Sequence, residues 1–237
     1  MTHDRAWILL PSGRRLDLFA PDPHAWTDRD LAIGLSRTYR WAGYSAWDLP
    51  LSVAQHSLTV LTLCESSNGP DLTSAEQLRE LLHDATEALM GGWDPITPIK
   101  PHLGKGFVQL VEQIQAAVDM RYTLPAWTPE SRARHKEADR LAAASEARHV
   151  AGWSRPAMQR HLRITLQPLT VDPLATPPGM RPWQPWPPRL AQSQFLTKLE
   201  ALLAAAKAGR SRRASALTRI DPGLLTEVDP LTSVLPF

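Results

Sequence analysis

A chain of 237 residues, 43% hydrophobic and 21% charged, has an ordinary globular composition with room for one full-sized domain and an appendage, which excludes a wholly disordered or fibrous chain. Its 26 Lys and Arg against 24 Asp and Glu leave a formal charge of +2, too little for bulk electrostatics to support wrapping of nucleic acid. The single cysteine, Cys64, excludes an intramolecular disulfide and a thiolate-rich zinc site; with no signal-peptide core and no apolar run near the ~20 residues of a span, the expectation is a cytoplasmic protein without a membrane segment.

Trp7-Ile8-Leu9-Leu10 and Leu16-Asp17-Leu18-Phe19 are short apolar runs around Pro11-Ser12-Gly13, which predicts a small hairpin. Leu31, Ile33, Leu35 and Tyr39 fit a helix beginning at Asp28, with Thr27 or Asp28 as its cap. A second helix is predicted from Ser52 through Val53, His56, Leu58, Val60 and Leu61, and a third from about Ala75 to Met90, capped by Ser74 and stopped by Gly91-Gly92. The prolines of Asp94-Pro95-Ile96-Thr97-Pro98-Ile99-Lys100-Pro101 fix φ and predict a stiff loop. Two more helices follow, from Gly106 to about Tyr122 and from Pro129 to about Val150.

Eight prolines with Trp183 and Trp186 make residues 167–190 extended or polyproline-like, and helical periodicity returns over Gln192 to Lys207 through Phe195, Leu196 and Leu199. The expected fold is therefore an all-α bundle over residues 1–166 with an N-terminal β-hairpin. A Pro/Trp-rich C-terminal extension and helix (167–206) pack on it, and a weakly structured tail (207–237) follows. The nine tryptophans lack interleaved basic runs, so packing explains them better than single-strand stacking, and no stable nucleic-acid or membrane partner is expected. Exposed apolar faces on a small bundle are compatible with a homodimer.

The chemistry-bearing residues begin with His83-Asp84-Ala85-Thr86-Glu87. Glu87 lies four residues after His83 and three after Asp84, so a helix brings the three to one edge. Imidazole and carboxylates on a helix otherwise packed by leucines are costly unless something pairs with them, although a solvent-facing edge explains the spacing equally well. His56 and Asp139 sit on two other predicted helices; singly, His56 reads as a satisfied core histidine. Jointly, His56, His83, Asp84 and Asp139 form the nitrogen and oxygen set that suits one first-row divalent ion (Co, Mn, Zn, Fe or Ni, with Mg also compatible), and a bundle core is a usual place for such a site.

The ordered pattern His56, His83-Asp84, Asp139 resembles the HD-domain metal-dependent phosphohydrolases, and the flanking residues look like the branch of bacterial 5′-deoxynucleotidases and their phage relatives. Arg40-Trp41 is similar to that branch's Arg-Trp pair. Ser52-Val53-Ala54-Gln55-His56-Ser57 matches its helix with Gln where Glu is common, and His83 to Glu87 its HD-A-(S/T)-E segment. Asp94 with Thr97-Pro98-Ile99-Lys100 matches its Asp-x-x-Thr-Pro-x-Lys loop, and Lys136 to Asp139 its Lys-x-x-Asp. The likeness covers residues 7–150 and, more faintly, the chain up to about 206.

The resemblance implies metal ligation by His56, His83, Asp84 and Asp139, with Glu87 and Asp94 as catalytic groups that orient or deprotonate a water or protonate the leaving oxygen. Arg40 offers a bidentate guanidinium for phosphate, Lys100 and Lys136 point charges for the same group, and Trp41 a ring that would crowd a 2′-hydroxyl. The implied substrate is a 5′-deoxynucleoside monophosphate, cleaved to nucleoside and phosphate. The alternatives are a deoxynucleoside triphosphohydrolase releasing tripolyphosphate and a non-catalytic nucleotide sensor.

Overall fold

The computed structural model describes residues 6–217 apart from 68, 70 and 97, so Thr97 of the predicted phosphate loop and the 218–237 part of the tail lie outside the described residues. The chain is mostly helical. β1 (Trp7–Leu9) pairs antiparallel with β2 (Arg15–Asp17), placing Ile8 opposite Leu16. Leu16 points into the core, and the hairpin turn is tied to the first helix by Ser12 N–H donating to Asp30 Oδ1 at 2.8 Å.

That helix, α1 (Asp28–Arg37), starts at Thr27, whose hydroxyl and the Asp30 carboxylate form a reciprocal capping box. After it, a bridge between Tyr39 and Ser52 and the bond from Arg40 N–H to Leu51 O lay Arg40 against the start of α2 (Val53–Glu65). Ser52 caps α2, which is buried from Val53 through Leu61; a helix with no solvent face is the centre of a bundle.

The third predicted helix is two. α3 (Ser74–Leu81) is capped by Thr73, which shares a capping box with Glu76, and not by Ser74. A turn over Leu82, His83 and Asp84 then leads into α4 (Ala85–Leu89). The break has a local cause: His83 Nδ1 lies 2.7 Å from Glu80 O, the carbonyl that Asp84 N–H would use in a continuous helix, and the next amides bond three residues back instead, Ala85 to Leu82 and Glu87 to Asp84. Gly91 and Gly92, both at positive φ, end α4 as expected. Gly34 lets α1 and α4 touch: a Cβ there would lie 2.8 Å from that of Ala88.

α5 (Gly104–Tyr122) and α6 (Pro129–His149, capped by Thr128) match the predicted pair, and α6 packs along α2. A short α7 (Arg155–Ala157) runs into one π turn at Met158–Leu162. The proline-rich stretch is a strap fastened at two places. The Gln55 carboxamide donates to Gln184 O at 3.2 Å and accepts from Trp186 N–H at 2.8 Å, and Trp183 stacks on His149 with ring centres 4.6 Å apart. A carboxylate at position 55 could not donate the first of those bonds, which accounts for Gln there.

α8 (Pro188–Leu217) then packs on α1 and α3 through Ala191, Phe195, Leu199 and Leu202, in the same core as Trp26, Leu31, Leu78 and Leu81. It runs past the expected end at Lys207 to Leu217, so the first part of the predicted weakly structured tail is helix; Ala-rich sequence carries it through Gly209. Among the described residues no helix is long and apolar enough to cross a membrane.

Candidate metal centre

Three elements deliver the candidate ligands to one place. α2 brings His56, which has no solvent exposure; the α3–α4 break brings His83 and Asp84; α6 brings Asp139. Ligand atoms of His56, His83 and Asp84 all lie within 4.8 Å of one another. Asp84 Oδ2 is 3.2 Å from His83 Nε2 and 3.5 Å from His56 Nε2, and the two Nε2 atoms are 3.4 Å apart. Asp139 stands on the rim, 41% exposed, with Oδ1 3.3 Å from His56 Nε2. The break in the helix is what swings Asp84 inward beside His83, where a continuous helix would turn consecutive side chains about 100° apart.

The outer partners fix which ring nitrogens are available. His56 Nδ1 is 2.6 Å from Glu146 Oε1, and His83 Nδ1 is 2.7 Å from a backbone carbonyl. Both partners accept hydrogen bonds, so each Nδ1 carries the proton and each neutral ring turns an Nε2 lone pair inward. Two lone pairs and the Asp84 carboxylate at 3.2–3.5 Å from one another, with the Asp139 carboxylate 3.3 Å from His56, repel unless a cation lies among them. A proton or a metal ion meets that need, and this imidazole and carboxylate set suits a borderline divalent metal.

The titration behaviour follows. Burial and Arg40 would lower the His56 pKa, but Glu146 and Asp139 outweigh them and push it up to about 10. Burial would raise Asp84, yet His83, His56 and Arg40 hold it far below the usual carboxylate range, and Asp139 is likewise lowered against burial, chiefly by His56. Arg40, 14% exposed, donates from Nε to Glu146 Oε2 at 2.9 Å, and its Nη1 is 3.7 Å from both Asp84 and Asp94. It is therefore the fixed positive charge of the cage wall.

Glu87, on α4, is 4% exposed, and its Oε2 is buried with no hydrogen-bond partner. Burial, then Asp84 and Asp94, push its pKa up to about 10 against the pull of Arg40 and Lys100. A buried, orphaned carboxyl oxygen beside a cation cage is a group waiting for a water or a ligand. Lys100 reaches to 3.7 Å from Glu87 Oε1 at the open side, 45% exposed. Trp41 packs on Ala144, Ala147 and Met158 with its indole N–H on Glu146 Oε2 at 3.2 Å, and it starts a turn in which Trp41, Ala42 and Gly43 all have positive φ. Lys136 lines a cavity on the other side of His83, together with His135 and Trp127. The nine other candidates thus belong to the cage or its border, and Lys136 to the adjoining space.

Glu146 is the functional residue that sequence reasoning missed. It is 2% exposed, ties His56, Arg40 and Trp41 together, and burial notwithstanding, Arg40 and His56 hold its pKa down to about 2. Its signal was its position seven residues after Asp139, two turns along the same face of α6. Glu80 was missed too: its carbonyl holds His83 and its carboxylate holds His135 at 2.7 Å. A larger concavity, about 370 Å³, lies at the hairpin around Trp7, Arg14 and His24 and contains none of these groups.

No family model matches the chain. An uncharacterized protein of Rhodobacter capsulatus is 41% identical over 176 residues, spanning 69% of this chain and 88% of the relative. At that identity and coverage the chain belongs to the same family as this uncharacterized Rhodobacter capsulatus protein.

Proposed function

We propose that the protein is an HD-type metal-dependent phosphohydrolase that cleaves the phosphate ester of 5′-deoxynucleoside monophosphates. The observation that carries this reading is the inward convergence of the His56 and His83 Nε2 atoms and the Asp84 carboxylate at 3.2–3.5 Å, with Asp139 Oδ1 3.3 Å from His56 at the rim and both Nδ1 atoms committed to acceptors. In this reading His56, His83, Asp84 and Asp139 hold one divalent ion. When bound, such an ion supplies positive charge to a phosphoryl oxygen and acidifies water toward neutrality.

The chain's own residues do the rest. Glu146 holds His56 in its inward tautomer and Arg40 in place. Arg40, anchored through Nε, presents Nη1 to the phosphate and compensates the charge that develops on it. Glu87 exchanges a proton at Oε2 with the attacking water or the leaving oxygen, with Lys100 at its Oε1 tuning the carboxyl. Asp94, 3.7 Å from Arg40, fixes that guanidinium from the loop side. Trp41 offers its ring at the opposite edge, toward the sugar. The test is a screen of deoxy- and ribonucleoside mono-, di- and triphosphates with Mn, Co, Zn, Ni, Fe and Mg, with Asp84→Ala as control. Metal-dependent phosphate release from deoxynucleoside monophosphates, lost in Asp84→Ala, is expected; equal rates in parent and variant would remove the assignment. The cavity beside Lys136 keeps the triphosphohydrolase as a second reading.

A further inference from the structure

The space on the far side of His83 from His56 is a cavity of about 260 Å³ lined by Arg79, His83, Gln115, Trp127, Arg132, His135 and Lys136. Its lining contains no carboxylate. The acidic groups behind it are already engaged: Asp119 takes the Arg79 guanidinium at 2.6 Å and the Gln115 amide at 2.8 Å, and Glu80 takes His135 at 2.7 Å. Arg132 and Lys136 are exposed, and among the described residues neither has a carboxylate at ion-pair distance.

Their placement is unfavourable without a ligand. They stand four residues apart on α6, where like charges repel, and Arg132 lies near the positive N-terminal end of the helix dipole. An anion in the cavity turns both terms favourable. Size narrows its nature: the volume is below the ~300–1,000 Å³ that enclose drug-sized ligands, so it suits a compact group better than a nucleoside. Position narrows it again. Asp139 is three residues after Lys136 and seven before Glu146, so the cage lies between this cationic wall and the Trp41 side of α6.

We propose that this cavity is an anion subsite that holds a phosphate group beyond the one at the metal cage, with Arg132 and Lys136 as its charged contacts and Trp127 and His135 as its walls. The subsite goes beyond the monophosphate reading, whose substrate has no further phosphate, and rests on the triphosphohydrolase reading: there a nucleotide with its reacting phosphate at the cage and its sugar toward Trp41 sends its further phosphates here. Free inorganic phosphate could supply the same chemistry.

The test uses the full chain in chelator-free buffer and calorimetric binding of tripolyphosphate, inorganic phosphate and a deoxynucleoside monophosphate, with Arg132→Glu and the milder Arg132→Gln. Both changes are at an exposed position near a helix start, where Glu is well tolerated. Tripolyphosphate should bind the parent, weaken at least about tenfold in Arg132→Glu and less in Arg132→Gln, and weaken further with salt, while monophosphate binding stays within about twofold. Loss confined to tripolyphosphate assigns the subsite to chain-linked phosphates; an equal loss for inorganic phosphate assigns it to the free ion. Tripolyphosphate binding that is absent in the parent, unchanged in both variants, or lost in parallel with monophosphate binding would overturn the proposal. Because binding is read without turnover, a chain that hydrolyses no nucleotide yet shows the Arg132-dependent affinity would refute the phosphohydrolase reading and leave the subsite standing.

Discussion

Replacing Glu146 with Gln removes one charge and leaves the side-chain shape intact. In the parent the two carboxylate oxygens face three donors, His56 Nδ1 at 2.6 Å, Arg40 Nε at 2.9 Å and Trp41 Nε1 at 3.2 Å, in a site from which water is excluded. A glutamine oxygen can still accept from His56, but its NH₂ then faces Arg40 and Trp41, donor against donor. The charge-assisted bond to Arg40 is lost and that to His56 is weakened. Each bond to a charged group contributes about 1.5–3 kcal/mol, so a loss of about 2–4 kcal/mol is expected, lowering Tm by roughly 4–16 °C in a chain of this size. Loss of an outer partner of a ligating histidine should also weaken metal binding about 10–100-fold. Differential scanning calorimetry and chelator competition read the two effects separately. Because the Glu146 pKa is about 2, the difference from the parent should persist across neutral and mildly acidic pH. A folded Glu146→Gln protein that binds metal within about threefold of the parent would refute the role given to this carboxylate.

Gly34→Ala should destabilise by about 1–3 kcal/mol in thermal unfolding, because the new methyl meets Ala88 at 2.8 Å and pushes α4, with Glu87, away from the cage. An unchanged Tm would show that the contact between α1 and α4 yields freely. Ala42→Gly should stabilise by about 0.5–1 kcal/mol, since Ala42 sits at φ +54 and glycine adopts that region without the Cβ clash; denaturant midpoints read it, and a loss of stability would contradict the strain argument. In metal-free protein, His56 (about 10 folded against 6.5) and Glu87 (about 10 against 4.5) both hold protons more tightly in the folded state. The His56 contribution is complete below pH ~6.5 and falls away as the pH rises toward 10, and that of Glu87 declines from pH ~4.5 upward, so Tm should drop from pH 7 to 10. Glu87→Gln should remove part of that drop while abolishing turnover; an identical pH profile would contradict the burial of an unfavourable charge at position 87.

Much of this was legible because the candidate ligands fall in three separate helix-forming runs, apolar periodicity marking those around His56 and His83-Asp84 and strong helix formers the one that carries Asp139. What the periodicity could not carry was competition for single backbone atoms. The run from Ala75 to Met90 reads as one helix, and only the His83 imidazole taking the Glu80 carbonyl divides it and turns Asp84 inward. The choice between Thr73 and Ser74 as cap turned on which has an acidic partner three residues later, and Thr73 has Glu76. Glu146 was hidden differently: in a helix with four acidic residues and many Arg and Ala, nothing in composition marks the carboxylate that meets His56 Nδ1. Gln55 was noticed as a departure from a pattern, but its reason, a strap 129 residues further along the chain, is purely tertiary.

The account depends on a cation among His56, His83, Asp84 and Asp139. Metal analysis of the protein purified without chelator, combined with anomalous diffraction at the edge of whichever element is found, tests this most directly. The prediction is one divalent ion per chain, with its anomalous peak among the two Nε2 atoms and the two carboxylates, and no such peak in Asp84→Ala. A metal-free protein that binds none of the offered ions, with the two rings held together only by protons, would contradict it.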